Sequence, residues 1–242
     1  MAKQGMFLYG KNSVYERLKV NSATIKKIIL ETGFRAPHIE TLIKKHGIPT
    51  ERISLSRMER LKRAKNIQGI LAEVEPFKYA ALTELLKQDL TFIFLDRIND
   101  PQNLGVIIRS LACFGNFAVI IPEKGACSVT EAVLHVASGA DNYIPVAVAG
   151  DMGEALKQAK DAGFNVYAAT PQPEALDINK ISFPFPLVLI LGSEAQGISP
   201  VLEKHIDYKI RIPMYGAQLS LNVSMACTVF CHEICRQKKL LR

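Results

Sequence analysis

The chain reads as an α/β protein: a carboxyl-terminal domain on a mostly parallel sheet, preceded by a smaller amino-terminal α/β domain. Three observations predict this. Short apolar runs alternate with segments of helical periodicity, the pattern of strand–helix–strand units. Several of the helical segments open on Ser, Asn or Pro and close on Gly. The charge is divided as well: residues 1–75 hold 15 Lys and Arg against 7 Asp and Glu, whereas residues 76–242 hold 15 against 16. A length of 242 residues suits one large or two modest domains, and 48% hydrophobic residues are enough for a core. The expected boundaries are 1–75 for the first domain, 76–90 for a linker helix and 91–242 for the second domain.

The elements follow in order. Lys11 to Val20 reads as a helix opened by Asn12 or Ser13, and Ile25 to Glu31 as an apolar strand. Pro37 to His46 is a helix closed by Gly47. Ser56 to Lys65 is a helix behind a Ser cap, with Met58, Leu61 and Ala64 on one face and its basic residues outward. Ile70 to Val74 is a strand, and Pro76 to Asp89 reads as the connecting helix from Leu82, Leu85 and Leu86. A second series begins with strand Thr91 to Ile98, helix Pro101 to Phe114 and strand Asn116 to Ile121. Helix Ser128 to Ser138, strand Tyr143 to Val148, helix Asp151 to Ala162 and strand Asn165 to Ala169 come next. Strand Pro186 to Leu191, helix Ser199 to Lys204, strand Tyr208 to Ile212 and a long helix Ser220 to Lys238 complete it.

Composition narrows the function classes. The apolar runs are too short to span a bilayer, and Met1-Ala2-Lys3-Gln4-Gly5 has no signal-peptide core, so a cytoplasmic protein is expected. A basic module joined to a neutral one points to recognition of a phosphate backbone by the first part. Cys227, Cys231 and Cys235 are spaced by four and share a helix face. A metal there would need His205 or His232 to join them; small buried hydrophobes are the favoured reading, and no metal is expected. There is no Gly-x-Gly-x-x-Gly after the first strand of either domain, no phosphate loop and no Gly-x-Ser-x-Gly elbow, which argues against a dehydrogenase, an NTPase and a serine hydrolase.

The chemistry concentrates at three places. Asp96-Arg97-Ile98-Asn99-Asp100-Pro101-Gln102-Asn103-Leu104-Gly105 leaves a strand and enters a helix, with Pro101 suited to its first turn. Arg109 follows among apolar neighbours and needs a partner, a phosphate or a carboxylate, with Glu194 the nearest candidate by motif. Leu191-Gly192-Ser193-Glu194-Ala195-Gln196-Gly197 follows one apolar run, and Ile212-Pro213-Met214 follows another and leads to Ser220-Leu221-Asn222-Val223-Ser224. In an open α/β sheet ligands bind outside the carboxyl ends of the strands, so these segments read as loops around one pocket.

Those three segments resemble the signature motifs of the SpoU branch of the SPOUT RNA methyltransferases, in order and spacing across residues 91–242. Within the branch the chain looks most like enzymes that methylate a guanosine of large-subunit ribosomal RNA. Tyr9-Gly10-Lys11-Asn12-Ser13-Val14 and Ile67-Gln68-Gly69-Ile70 resemble the family's amino-terminal substrate-binding module, which is related to small ribosomal RNA-binding proteins. Ile67 and Gln102 stand where the family often has His. The resemblance implies a deep trefoil knot. It also implies S-adenosylmethionine bound at Ala169, Thr170, Leu191, Gly192, Gly197, Ile212, Met214, Ser220 and Leu221, largely through backbone. A homodimer is implied too, with Val229, Phe230 and Ile234 of the closing helix at its interface.

The implied reaction is methyl transfer to a ribose 2′-hydroxyl, with Asn103, Arg109, Glu194, Ser220 and Asn222 around the sugar and its phosphate. The donor is already activated, so positioning matters most. A guanidinium resists deprotonation, which makes Arg109 a better phosphate clamp than general base. Ribosomal RNA is the favoured target, with transfer RNA as the alternative. An inactive RNA-binding assembly factor of the same fold, or a nucleotide-dependent metabolic enzyme, are the readings from other classes.

Overall fold

Local periodicity and nonlocal pairing together build two units in the computed structural model, which describes residues 5–63, 66–217 and 219–240. The first unit comprises the chain up to Lys78 together with Val129–Asn142. Its elements are β1 (Met6–Tyr9), α1 (Lys11–Val20), β2 (Ile25–Glu31), α2 (Pro37–Lys45), β3 (Thr50–Ile53), α3 (Leu55–Leu61) and β4 (Ile70–Val74). The sheet order is β1-β4-β2-β3, with β4 antiparallel to both neighbours and β2 parallel to β3. Strands β1 and β3 are four residues each and carry too little pattern to be read from sequence; their pairing partners make them strands.

Cap chemistry departs from expectation at two helices of the first unit. Helix α1 has the expected bounds, Lys11–Val20, but its N-cap is Gly10, at φ 90°, and not Asn12 or Ser13; the Gln68 side chain accepts from Lys11 N at 2.8 Å and satisfies that first-turn donor. Helix α3 is capped by Ser54, which accepts from Arg57 N at 3.4 Å, and ends at Leu61. Met58 faces the core with Tyr9, Ile29, Ile53, Ile67 and Leu71, but Leu61 is exposed and does not share that face. Ala64 and Lys65, expected at the end of this helix, lie outside the described residues.

The segment Val129–Asn142 packs with the first unit although sequence continuity would assign it to the second. Thr130 caps its helix, Glu131–Ala137. Glu131 accepts from Phe7 N at 2.6 Å and pairs with Lys62. His135 stacks on Tyr9 with ring centroids 4.1 Å apart. Arg17 and Asp141 form a buried ion pair at 2.6 Å.

In the second unit a seven-stranded sheet, parallel at every pairing, runs β7-β6-β5-β10-β8-β11-β9. Following α4 (Leu82–Leu85), its elements in chain order are β5 (Thr91–Asp96), α5 (Pro101–Phe114), β6 (Phe117–Pro122), β7 (Val146–Ala149), α7 (Met152–Asp161), β8 (Asn165–Ala169), β9 (Leu176–Asp177), β10 (Leu187–Gly192), α8 (Pro200–Glu203), β11 (Tyr208–Arg211) and α9 (Val223–Leu240); α6 is the Glu131–Ala137 helix of the first unit. The expected linker helix over 76–90 is one turn only. Ala80 N donates to Val146 O at 2.9 Å, so the chain stays extended against the sheet until Ala81. Strands β5, β6 and β10 are buried on both faces, as a parallel sheet under helices requires. Phe92, Phe94, Ile120, Val188 and Ile190 form the centre of that core with Leu156 and Phe164.

Helix α9 packs along α5. Cys227, Phe230, Cys231 and Ile234 are its buried face, so Phe230 and Ile234 are core residues of this chain and not interface residues. Val229 is exposed. The Cys227 and Cys231 sulfurs are 3.8 Å apart inside this contact, and burial pushes the Cys231 thiol well above its ordinary value. No helix among the described residues is long and apolar enough to cross a membrane.

Candidate active site

Parallel pairing brings the ends of β5, β10, β8 and β11 to one edge of the sheet. Asp96 and Gly192 stand at the same register position on β5 and β10. Leu191 is buried at the end of β10, Ala169 ends β8 with Thr170 just after it, and Ile212 and Met214 follow β11, half-buried. Thr170 N donates to Ile210 O at 2.9 Å, which keeps the β8 and β11 exits together. The expected cofactor positions on these three strands therefore share one edge.

The loop after β10 folds back tightly on itself. Gly197 N donates to Ser193 O at 2.8 Å, and Gln196 N to Ser193 Oγ at 3.2 Å. Gly197 has φ 65°, in the left-handed region. A Cβ added to Gly192 would fall on the Gly197 carbonyl. Glycine is required there because backbone meets backbone. The residues leaving β5 grip the same loop: buried Asp96 accepts from Ser199 N at 2.6 Å, and Arg97 donates to Gln196 Oε1 at 2.6 Å and Gly197 O at 3.2 Å.

Asn222 is the hub of the polar cluster. Its Nδ2 donates to Asn103 Oδ1 at 2.9 Å and to Glu194 Oε1 at 2.8 Å. Its Oδ1 accepts from Ser224 N at 2.9 Å and Ser224 Oγ at 2.6 Å. Both amide hydrogens and both lone pairs are used, which sets the orientation of the amide. Glu194 Oε1 also accepts from Val223 N at 3.1 Å, an anion placed over the first turn of α9. The same hydrogen bonds explain why α9 starts at Val223 rather than Ser220: Asn222 is spent as its cap.

Helix α5, opened by Pro101 and capped by Asp100 through Gln102 N at 2.9 Å, places Asn103 in its first turn. Arg109 does not join the cluster. It is exposed, on the side of α5 that also carries exposed Val106 and Cys113, and it makes no hydrogen bond or ion pair among the described residues. The expected Arg109–Glu194 pair is thus absent. The buried face of α5 is Leu104, Ile107, Ile108 and Leu111, and helix geometry turns residue 109 away from it. Ser220 and Leu221 are exposed in the connection to α9, and Ser220 makes no hydrogen bond among the described residues. Asp96, Arg97 and Ser224 are contributors without an assigned role in the sequence. Their position inside the motifs was a signal, but only the fold shows what they hold.

This arrangement has counterparts. The model of the SpoU rRNA methylase family matches residues 90–232, more than half of the chain. The chain belongs to this family. A second model, described as RNA 2′-O ribose methyltransferase substrate binding, matches residues 7–80. A Bacillus subtilis relative carrying the name "Putative TrmH family tRNA/rRNA methyltransferase YacO" is 30% identical over 246 residues, covering 98% of each chain. A Staphylococcus aureus relative of the same family name is 30% identical over 240 residues, covering 96% of each. Among solved structures, the SpoU methyltransferase AviRb of Streptomyces viridochromogenes in complex with AdoMet shares the fold, with a TM-score of 0.82 at 20% identity over 98% of this chain and 91% of that one. An AdoMet-bound rRNA methyltransferase from Sinorhizobium meliloti gives a TM-score of 0.80 at 24% identity over 96% and 87%. In this SpoU-family chain, Asn103, Glu194 and Asn222 come together from three motifs far apart in sequence.

Proposed function

We propose that this chain transfers a methyl group from S-adenosylmethionine to the 2′-hydroxyl of a ribose in RNA, with a guanosine of large-subunit ribosomal RNA as the favoured target. The observation that carries the reading is the Asn222 amide, which ties Asn103 and Glu194 together at the strand edge where the β8, β10 and β11 loops end. The residues there suit the cofactor. Gly192 keeps the loop backbone in close approach where a Cβ would intrude, and Leu191, Ile212, Met214 and Leu221 offer apolar surface and backbone beside it. Ala169, Thr170, Gly197 and Ser220 complete the proposed cradle.

S-adenosylmethionine supplies a methyl group already activated by a sulfonium. The task left to the protein is to hold the sugar in line and to accept one proton. Glu194 is the carboxylate of the cluster and takes the proton role; Asn222, itself bonded to Asn103, fixes its position. Arg109, exposed and without a carboxylate partner, serves as the clamp on the RNA phosphate. Lys44, Lys45 and Arg60 of the first unit are exposed and make no ion pair among the described residues, which suits backbone contact with RNA.

The homodimer belongs to the same proposal. Thr228 Oγ1 donates to Ser110 Oγ at 3.0 Å, so α5 and α9 lie side by side, and Val106, Met225 and Val229 are exposed on them. The family's trefoil knot is proposed as well: Gln237 donates to Ile181 O at 2.9 Å and Lys238 pairs with Asp89 at 2.6 Å, so the end of α9 returns to segments that precede β5 and β10.

The test is methylation with labelled donor, using ribosomal and transfer RNA from cells lacking the gene, followed by mapping of 2′-O-methyl sites. Arg109→Ala abolishes transfer while calorimetry shows unchanged donor binding. A wild-type chain that labels neither RNA, or binds no donor, overturns the reading; labelling of transfer RNA alone overturns the ribosomal target.

A further inference from the structure

We propose that Arg97 is a positioning residue: it clamps the Ser193–Gly197 loop in the shape that binds the methyl donor and so sets donor affinity without touching the reacting atoms. The inference rests on the methyl-transfer reading of this site. Three independent features meet at this residue.

The first is backbone conformation. Arg97 has φ 59°, a left-handed conformation that an L side chain avoids and that Gly or Asn adopts with less cost. Strain at a non-glycine residue persists where surrounding contacts hold it. Here the chain turns sharply out of β5, and the turn points the side chain back across the end of β10.

The second is what the guanidinium reaches. Nη1 donates to Gln196 Oε1 at 2.6 Å and Nη2 to Gly197 O at 3.2 Å. Nε faces Asp96 Oδ1 at 3.5 Å and has no hydrogen-bond partner among the described residues. The planar fork thus grips one side chain and one carbonyl of the loop at once, which an ammonium on a flexible stem does less well.

The third is where the gripped loop leads. Asp96 holds Ser199 N at 2.6 Å, so consecutive residues at the end of β5 pin residues 196, 197 and 199. Between those pins and the end of β10 lies Glu194, which accepts from Asn222 and Val223. A loop released at Gln196 and Gly197 loses its fixed path past Gly192, while Glu194 keeps its own bonds from Asn222 and Val223.

The test uses the full-length chain and the variants Arg97→Gly and Arg97→Lys. Glycine keeps the left-handed backbone and removes the clamp, so a folding defect is not expected and the melting temperature stays near that of the wild type. The donor Kd by calorimetry, and donor KM, rise about tenfold in R97G, as the loss of a charge-assisted contact implies, while kcat stays within about twofold. R97K recovers part of the affinity. Hydrogen exchange at the amides of Gln196 and Gly197 quickens in unliganded R97G. Wild-type Kd and unchanged exchange in R97G overturn the proposal; so does an equal loss in kcat and melting temperature, which marks a merely structural role. A wild-type chain that binds no donor overturns the methyl-transfer reading and with it the role in affinity, and the exchange comparison, which needs no donor, decides the clamp by itself.

Discussion

Asn222 Nδ2 lies 2.8 Å from Glu194 Oε1, and this bond joins the loop after β10 to the cap of α9 across 28 residues of chain. Changing Asn222 to Asp removes both N–H donors and sets a second carboxylate against the first. Like charges at that distance cannot both stay ionised without moving apart. Asn222→Asp is expected to slow methyl transfer on the order of 100-fold, the scale of a small misplacement in a site that works by positioning. Single-turnover assays with labelled donor check this; a rate close to wild type would remove Asn222 from the machinery.

Gly192 makes a second prediction. Its Cα faces the Gly197 carbonyl so closely that Gly192→Ala must push the loop outward. Overpacking of this kind costs about 1–3 kcal/mol. The expected result is a lower melting temperature together with lost donor binding, both measured on the same sample. An alanine variant with wild-type stability and affinity would contradict the close approach.

The buried pair Arg17–Asp141 tests the composition of the first unit. Burial raises the Asp141 carboxyl above its ordinary range, and the Arg17 guanidinium offsets only part of that rise. Arg17 Nη1 also donates to Thr24 Oγ1 at 3.1 Å. Arg17→Met leaves a carboxylate buried without its partner and is expected to cost about 3–5 kcal/mol. Arg17→Met with Asp141→Leu removes both charges and recovers much of that loss. Denaturant unfolding of the two variants distinguishes a structural pair from a surface one.

Glu233 supplies a pH dependence. Hydrogen bonds from Arg236 first, and from Gln237, hold its carboxyl at about 2, well below the usual 4.5. The folded state therefore favours the ionised form. Its contribution is complete above the unfolded value and is lost as pH falls through about 2. Gln237 also donates to Ile181 O and accepts from Phe183 N, so the effect reaches the segment before β10. The gap in melting temperature between wild type and Glu233→Gln is expected at neutral pH and should narrow as pH drops from 4.5 toward 2.

Particular elements show why some of this was legible in the chain and some was not. The helices Lys11–Val20 and Pro101–Phe114 and the strands Ile25–Glu31, Ile70–Val74 and Asn165–Ala169 have the bounds that periodicity implies, because that signal is local. Strands β1, β3 and β9 escaped because two to four residues carry no period and acquire strand geometry from a neighbour. The linker helix shrank to one turn because a sheet edge competed for its backbone.

The site divides the same way. Alternating strands and helices, the uneven charge and the three polar segments after apolar runs are properties of the chain read in order, and they were enough to name the family by resemblance. That Asn222 and not Arg109 meets Glu194 depends on the rotation of α5 about its axis and on the packing of α9 against it. That Asp96 and Arg97 hold a loop about a hundred residues away depends on β5 and β10 being neighbours in the sheet. Sequence alone determines which local structures are cheap. Which side chains touch is decided by nonlocal packing, because burying the apolar faces of the strands fixes their order, and that order selects the polar groups that meet at the edge.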